Sequence, residues 1–136
     1  MNPLAGKRVI LWGAPQNGLD ELGENLIQLG LQVHVAHSIE DVRTAILTEY
    51  ADLIVARLCG CFQDPLELLA WLKQVPAGPP VLTVSEGMDV KLYLEAMRRG
   101  AFDCVGMPLN ESELVRIVVR ALEARQAEAV ATGGMK

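Results

Sequence analysis

The sequence predicts a three-layer α/β/α domain: a five-stranded parallel sheet in the order 2-1-3-4-5 with helices on both faces. Three observations lead there. Short apolar runs alternate in strict order with amphipathic stretches of helical period. The runs are continuously apolar rather than alternating, as parallel strands covered on both faces are. The length, 136 residues, suits one domain, and right-handed crossovers then leave few topologies, of which this doubly wound order is the leading choice. The core is expected over residues 6–125, with 126–136 as a flexible tail.

Each element has its own signal. KRVILW is a first strand ending at Gly13; LDELGENLIQLG then sets Leu19, Leu22, Leu26 and Leu29 on one helical face, with Gly30 as the stop. LQVHVA is the second strand, and Ser38 caps a helix carrying Ile39, Val42, Ala45 and Ile46, with Asp41 in its first turn. DLIVA is the third strand. In DPLELLAWLKQ, Asp64 caps, Pro65 opens the helix and Glu67 completes a capping box. PPVLTVS is the fourth strand, followed by MDVKLYLEAMRRG, a helix expected to turn Val90, Tyr93, Leu94 and Met97 inward and to stop at Gly100. FDCVG is the fifth strand. The last helix starts in LNESEL, with Asn110 as cap, Glu113 at the capping-box position and Leu109 stapled onto Leu114.

Composition excludes several classes of function. Apolar residues make up 51% of the chain and the formal charge is -5, which disfavours sequence-independent binding to nucleic acid. The one basic grouping, Arg98, Arg99, Arg116 and Arg120, is modest. No apolar run reaches membrane-spanning length, and MNPLAGKR lacks the apolar core of a signal peptide. Three cysteines in no framework spacing fit a reduced, cytoplasmic protein.

In a sheet of this order the functional crevice lies at the carboxyl ends of the first and third strands, where the winding reverses. The strand ends deliver Gly13 and Ala14, then Arg57, Ser85 and Met107. With ADLIVARL, PPVLTVS and RRGAFDCVGMPL in this order, the chain resembles, over about residues 6–125, the receiver domain of two-component response regulators, a CheY-like, flavodoxin-like fold. The resemblance implies a bacterial signalling module. It also implies a site in which two acidic residues after the first strand hold Mg²⁺, an aspartate ending the third strand accepts phosphate, and a lysine precedes the proline after the fifth.

This sequence departs from that site almost throughout. Gly13 and Ala14 stand at the metal-binding positions, Arg57 at the phosphoacceptor, Met107 at the lysine and Cys104 at the aromatic switch; Ser85 alone keeps the family's residue type. Chemistry agrees with the departures. Mg²⁺ takes hard oxygens, usually with one or two carboxylates among them, and glycine and alanine have no side-chain oxygen. Acyl-phosphate formation needs a carboxylate nucleophile, which an arginine cannot replace. The chain therefore reads as a degenerate pseudo-receiver: no phosphoacceptor, metal or cofactor, no enzymatic activity, and signalling by protein–protein interaction. Phosphorylation of another acidic residue, with Asp64, Glu86 and Asp89 near in sequence, is the alternative within the family. A small ligand binder or enzyme on the same fold is the alternative outside it.

Arg57 itself has three readings. It pairs with a carboxylate such as Glu86 and holds the crevice in one state, it binds an anion, or it is a tolerated residue with its stem packed and its head in water. Cys59-Gly-Cys61 with a distant Cys104 is a poor zinc pattern, and nothing places His34 and His37 beside it. GAPQNGLD has the Gly-x4-Gly spacing of a phosphate loop but not the Lys-Ser/Thr that must follow.

The last two helices carry the remaining signal. Apolar positions from Ile117 round to Val119 cover an arc of about 200°, roughly twice what a surface helix needs. Leu92 is expected to point away from the inward face of its helix. With Arg99, Cys104, Val115 and Val119, it marks a candidate surface for a protein partner or a homodimer, the helix-strand-helix face that receivers use for this purpose.

Overall fold

The computed structural model describes residues 4–12, 21–48, 51–58, 64–75, 78–86, 90–107 and 110–134. Five strands and five helices alternate: β1 Arg8–Trp12, α1 Glu21–Gln28, β2 Gln32–Ala36, α2 Ile39–Thr48, β3 Leu53–Leu58, α3 Asp64–Leu72, β4 Val81–Glu86, α4 Val90–Arg98, β5 Asp103–Met107 and α5 Glu111–Gly134. All strands pair in parallel, in the order β2-β1-β3-β4-β5. The predicted fold class is the observed one. No helix among the described residues is long and apolar enough to cross a membrane.

The pleat divides the core in two. Val9, Leu11, Leu53, Val55, Leu82 and Val84 face one side and pack with Leu22 and Leu26 of α1 and with Leu114, Ile117, Val118 and Ala121 of α5. Ile10, Trp12, Ile54, Ala56, Val81 and Cys104 face the other, against Val42 and Ala45 of α2, Leu69 of α3 and Ala96 of α4. Each central strand thus feeds both layers, which is why its sequence is continuously apolar. Leu4, ahead of the expected start of the core, is buried in the α1/α5 layer.

The helix signals act as their chemistry requires. The Asp41 N–H donates to Ser38 Oγ at 3.1 Å while the Asp41 carboxylate accepts the His37 N–H at 3.1 Å, closing a reciprocal cap on α2. Asn110 Oδ1 accepts the Glu113 N–H at 2.8 Å, so Asn110→Ala is expected to cost about 1 kcal/mol in a urea melt. The Asp64 side chain, and Leu19 and Leu109, lie outside the described residues. The helical backbone of α5 continues to Gly134, past residue 125.

Two helices stop on glycine in the same way. At the end of α4, Gly100 N–H donates to the Met97 carbonyl at 3.1 Å and Ala101 N–H to the Ala96 carbonyl at 3.0 Å, with Gly100 at φ 104°. At the end of α1, Gly30 and Leu31 bond Ile27 and Leu26 at 3.0 and 3.3 Å, with Gly30 at φ 98°. This paired-bond closure needs a left-handed residue, where an L side chain is strained. Gly100→Ala is expected to lose about 1–2 kcal/mol by denaturant unfolding; the new Cβ would stand 3.2 Å from Lys73 Cε, a flexible tip that can give way, so backbone strain dominates.

Two expectations about α4 are corrected. Val90 and Leu94, expected inward, are 63% and 60% exposed. Leu92, expected outward, packs with Tyr93 and Met97 on the α2/α3/α4 layer, around the fully buried Ala96. The helix turns its smallest apolar residue to the sheet because close approach favours a methyl group there. A pattern of large apolar residues assigned the face to the wrong side.

Candidate functional site

At the carboxyl edge of the sheet the registers bring the third, fourth and fifth strand ends side by side. Arg57 is level with Val84, Leu58 with Ser85, Ser85 with Gly106 and Glu86 with Met107. Arg57, Ser85 and Met107 therefore share one edge, as expected from the topology. By the alternation of β3, Arg57 lies on the side of Leu53 and Val55, the α1/α5 layer, and it is half-buried. Met107 is half-buried and packs on the same layer. Ser85 is buried at 5% exposure on the opposite side, one pleat beyond the fully buried Thr83, whose Oγ1 donates to the Asp103 carbonyl at 3.1 Å. Gly13, Ala14, Cys59, Cys61 and Asp89 lie outside the described residues, and of Glu86 the backbone position is described.

Sequence reasoning overlooked Trp12, the last residue of β1. It is 6% exposed and level with Ala36 of β2 and Ala56 of β3. A large ring between two methyl groups fills the sheet surface immediately before the crevice. The signal was present: a tryptophan before a glycine, with alanines at the matching ends of both neighbouring strands.

The chemistry available at this edge follows from the side chains. Of Trp12, Arg57, Ser85 and Met107, Ser85 alone offers a side-chain oxygen, and Gly13 and Ala14 have none wherever they stand. The β3 end presents a guanidinium, a fixed cation with five donors and no nucleophile. Such an edge is suited to holding a carboxylate or another oxyanion.

The candidate partner surface is only partly as expected. Cys104 is 5% exposed, a core residue of β5 rather than a surface one, with its N–H donating to Asp103 Oδ1 at 2.8 Å. Val115 and Val119 are half-buried and pack, with Leu122, on the α1/α5 layer. The wide apolar arc of α5 is thus largely taken up by its own core. Arg99 is half-exposed on α4, where its Nε meets Glu95 Oε1 at 2.6 Å, while Arg98 Nη2 reaches the same oxygen at 2.8 Å. These two guanidinium groups, Arg98 first, hold the Glu95 carboxyl below the usual carboxylate range, and Glu95 raises Arg98 in turn. A carboxyl depressed in the folded state contributes its stability above its unfolded pKa. The helical content of α4 is therefore expected to fall as pH drops through and below the ordinary carboxylate range, more in wild type than in Glu95→Gln, by circular dichroism.

No protein-family model matches the chain. Among curated proteins it is 31% identical over 105 residues to the C4-dicarboxylate transport transcriptional regulatory protein DctD of Pseudomonas aeruginosa, an alignment covering 77% of this chain and 23% of that regulator. The chain spans less than half the length of the curated regulators it matches. Among solved structures, NtrX of Brucella abortus superposes with a TM-score of 0.80 at 22% identity, over 94% of this chain and 29% of that one. The signal receiver domain of a Vibrio parahaemolyticus LuxO repressor protein superposes with a TM-score of 0.76 at 20% identity, over 93% of this chain and 97% of that one. The structures give the fold and the regulators the sequence likeness: the chain is a CheY-like response-regulator receiver domain.

Proposed function

We propose that this receiver domain is a pseudo-receiver, which signals through protein–protein contacts without a phosphoryl group or metal of its own. Arg57 carries the reading: it is the next-to-last residue of β3, at the crevice edge, where the family's chemistry requires a carboxylate nucleophile. A cation at that point also opposes Mg²⁺ electrostatically.

The fixed charge has a second consequence. Glu86 follows Val84 by one pleat on β4, and Val84 is level with Arg57. Adjacent strands with this diagonal offset are within reach of long side chains, which supports an Arg57–Glu86 pair holding the crevice in a single state. The docking surface would then be permanently presented, by the face that α4, β5 and α5 form together, where Val90 and Leu94 are exposed.

Acetyl phosphate with Mg²⁺, followed by intact-mass measurement, tests the proposal. The mass is expected to stay unchanged. A stable addition of about 80 Da, one phosphoryl group, would establish phosphorylation on another residue and overturn it.

A further inference from the structure

We infer that the free edge of β2 is a self-association site, which pairs antiparallel with β2 of a second copy of this chain about a two-fold axis at His34. β2 is the outermost strand, at the edge of the sheet opposite β5. Gln32 N–H donates to the Lys7 carbonyl at 2.8 Å. In the parallel pattern Gln32, His34 and Ala36 therefore bond β1, and the odd-numbered residues turn their backbone groups outward. Both ends of that outward row are closed within the chain. Leu31 N–H bonds the Leu26 carbonyl at 3.3 Å, and His37 N–H bonds the Asp41 carboxylate at 3.1 Å. Between them Val33 and Val35 present N–H and C=O away from β1, with His34 midway.

Such groups take their partners from water or from another strand. The residues that commonly guard an edge are missing here: QVHVA holds no lysine, acid or proline. Antiparallel pairing centred on His34 sets Val33 opposite Val35 of the second copy, and Val35 opposite its Val33, each pair exchanging both hydrogen bonds. His34 then stands opposite its own counterpart, the Cα atoms about 4.5 Å apart. An imidazole can donate and accept, so the opposed rings can bond across the axis. Gln32 and His34 are level with Arg8 and Ile10, on the α2 side of the sheet. A groove of about 270 Å³ lies there, lined by Arg8, Gln32, His34 and Ala45 among others. The short Ala45 side chain leaves room beside the edge for the second copy's Gln32 and His34.

Charge selects the occupant. Lys7 and Arg8 are exposed at the amino end of the β1–β2 pair. Glu40, 75% exposed, and Asp41 open α2 just past the carboxyl end of β2. A two-fold antiparallel arrangement brings the amino end of one copy beside the carboxyl end of the other, so cations approach carboxylates on both sides of the axis. Parallel pairing would set Lys7 and Arg8 against their own counterparts. The paired sheets would leave β5 at both far ends, with the α4 and α5 faces of each copy open to other proteins.

Site-directed cross-linking of the whole chain, with Cys59→Ser and Cys61→Ser as background, tests the pairing. His34→Cys is expected to form a disulfide dimer on mild oxidation, because its Cα separation suits the bond. Gln32→Cys is expected to stay monomeric, since its counterpart lies four residues along the paired strands, about 14 Å away. Sedimentation velocity without cross-linking is expected to show self-association of the native chain. His34→Lys, which opposes two cations at the axis, should weaken it at least about tenfold with unchanged circular dichroism. Leu94→Glu on α4 should leave it as it is. A native chain that stays monomeric, no dimer from His34→Cys, or equal cross-linking at positions 32 and 34 each overturns the inference. So does association that survives His34→Lys and is lost in Leu94→Glu, which would place the contact on α4.

Discussion

Trp12→Ala is expected to lower the free energy of unfolding by about 3–5 kcal/mol in urea, with the slope of the transition unchanged. The indole is 6% exposed and sits between Ala36 and Ala56 at matching positions of the neighbouring strands. Truncation removes its burial and leaves a cavity that two methyl groups cannot close. Neighbouring β-strands cannot approach each other to fill it, because their hydrogen-bonded spacing is fixed. Phenylalanine should recover most of the loss. A cost below about 1 kcal/mol, the scale of an ordinary surface substitution, would show that the ring is not packed in this layer.

The second large effect is a gain of chemistry. Arg57→Asp alone is expected to leave the protein inert to acetyl phosphate and Mg²⁺, because Gly13 and Ala14 still offer the metal nothing. Gly13→Asp and Ala14→Asp added to Arg57→Asp, with Met107→Lys, should permit an addition of about 80 Da in the intact mass, one phosphoryl group. The backbone that aligns β3, β4 and β5 at this edge is already in place. If the single variant were phosphorylated on its introduced carboxylate, metal binding by the two positions after β1 would not be the missing element. If the fourfold variant stayed inert while folded, the registers at the crevice edge would not be sufficient for the family's chemistry.

The fold was legible because its signals are local and repeat: five apolar runs, caps at Ser38 and Asn110, stops at Gly30 and Gly100. Strand order followed from the handedness of crossovers rather than from any residue. The crevice was legible for the same reason, since a parallel sheet delivers the residue after each apolar run to one edge. The orientation of α4 was not. Val90 and Leu94 satisfy a helical period as well as Leu92, Tyr93 and Met97 do, and periodicity alone does not say which of two faces meets a sheet. Ala96 decides it, and alanine carries little weight in an apolar count. Cys104 was misplaced for a related reason: β5 is an edge strand, yet α4 covers the side on which Cys104 lies. Trp12 carries no charge, thiol or motif of its own, and its evidence lies in two alanines on other strands.

The position of Trp12 also makes the crevice observable. The sequence has two tryptophans, and the other, Trp71 on α3, lies under the Arg43 guanidinium at 5.5 Å from the ring centroid. Trp71→Phe would leave a single native fluorophore, secluded from water at the carboxyl end of β1. Its emission colour and lifetime would then register any anion, peptide or rearrangement at that edge without an added label, turning a packing residue into an optical gauge of the site.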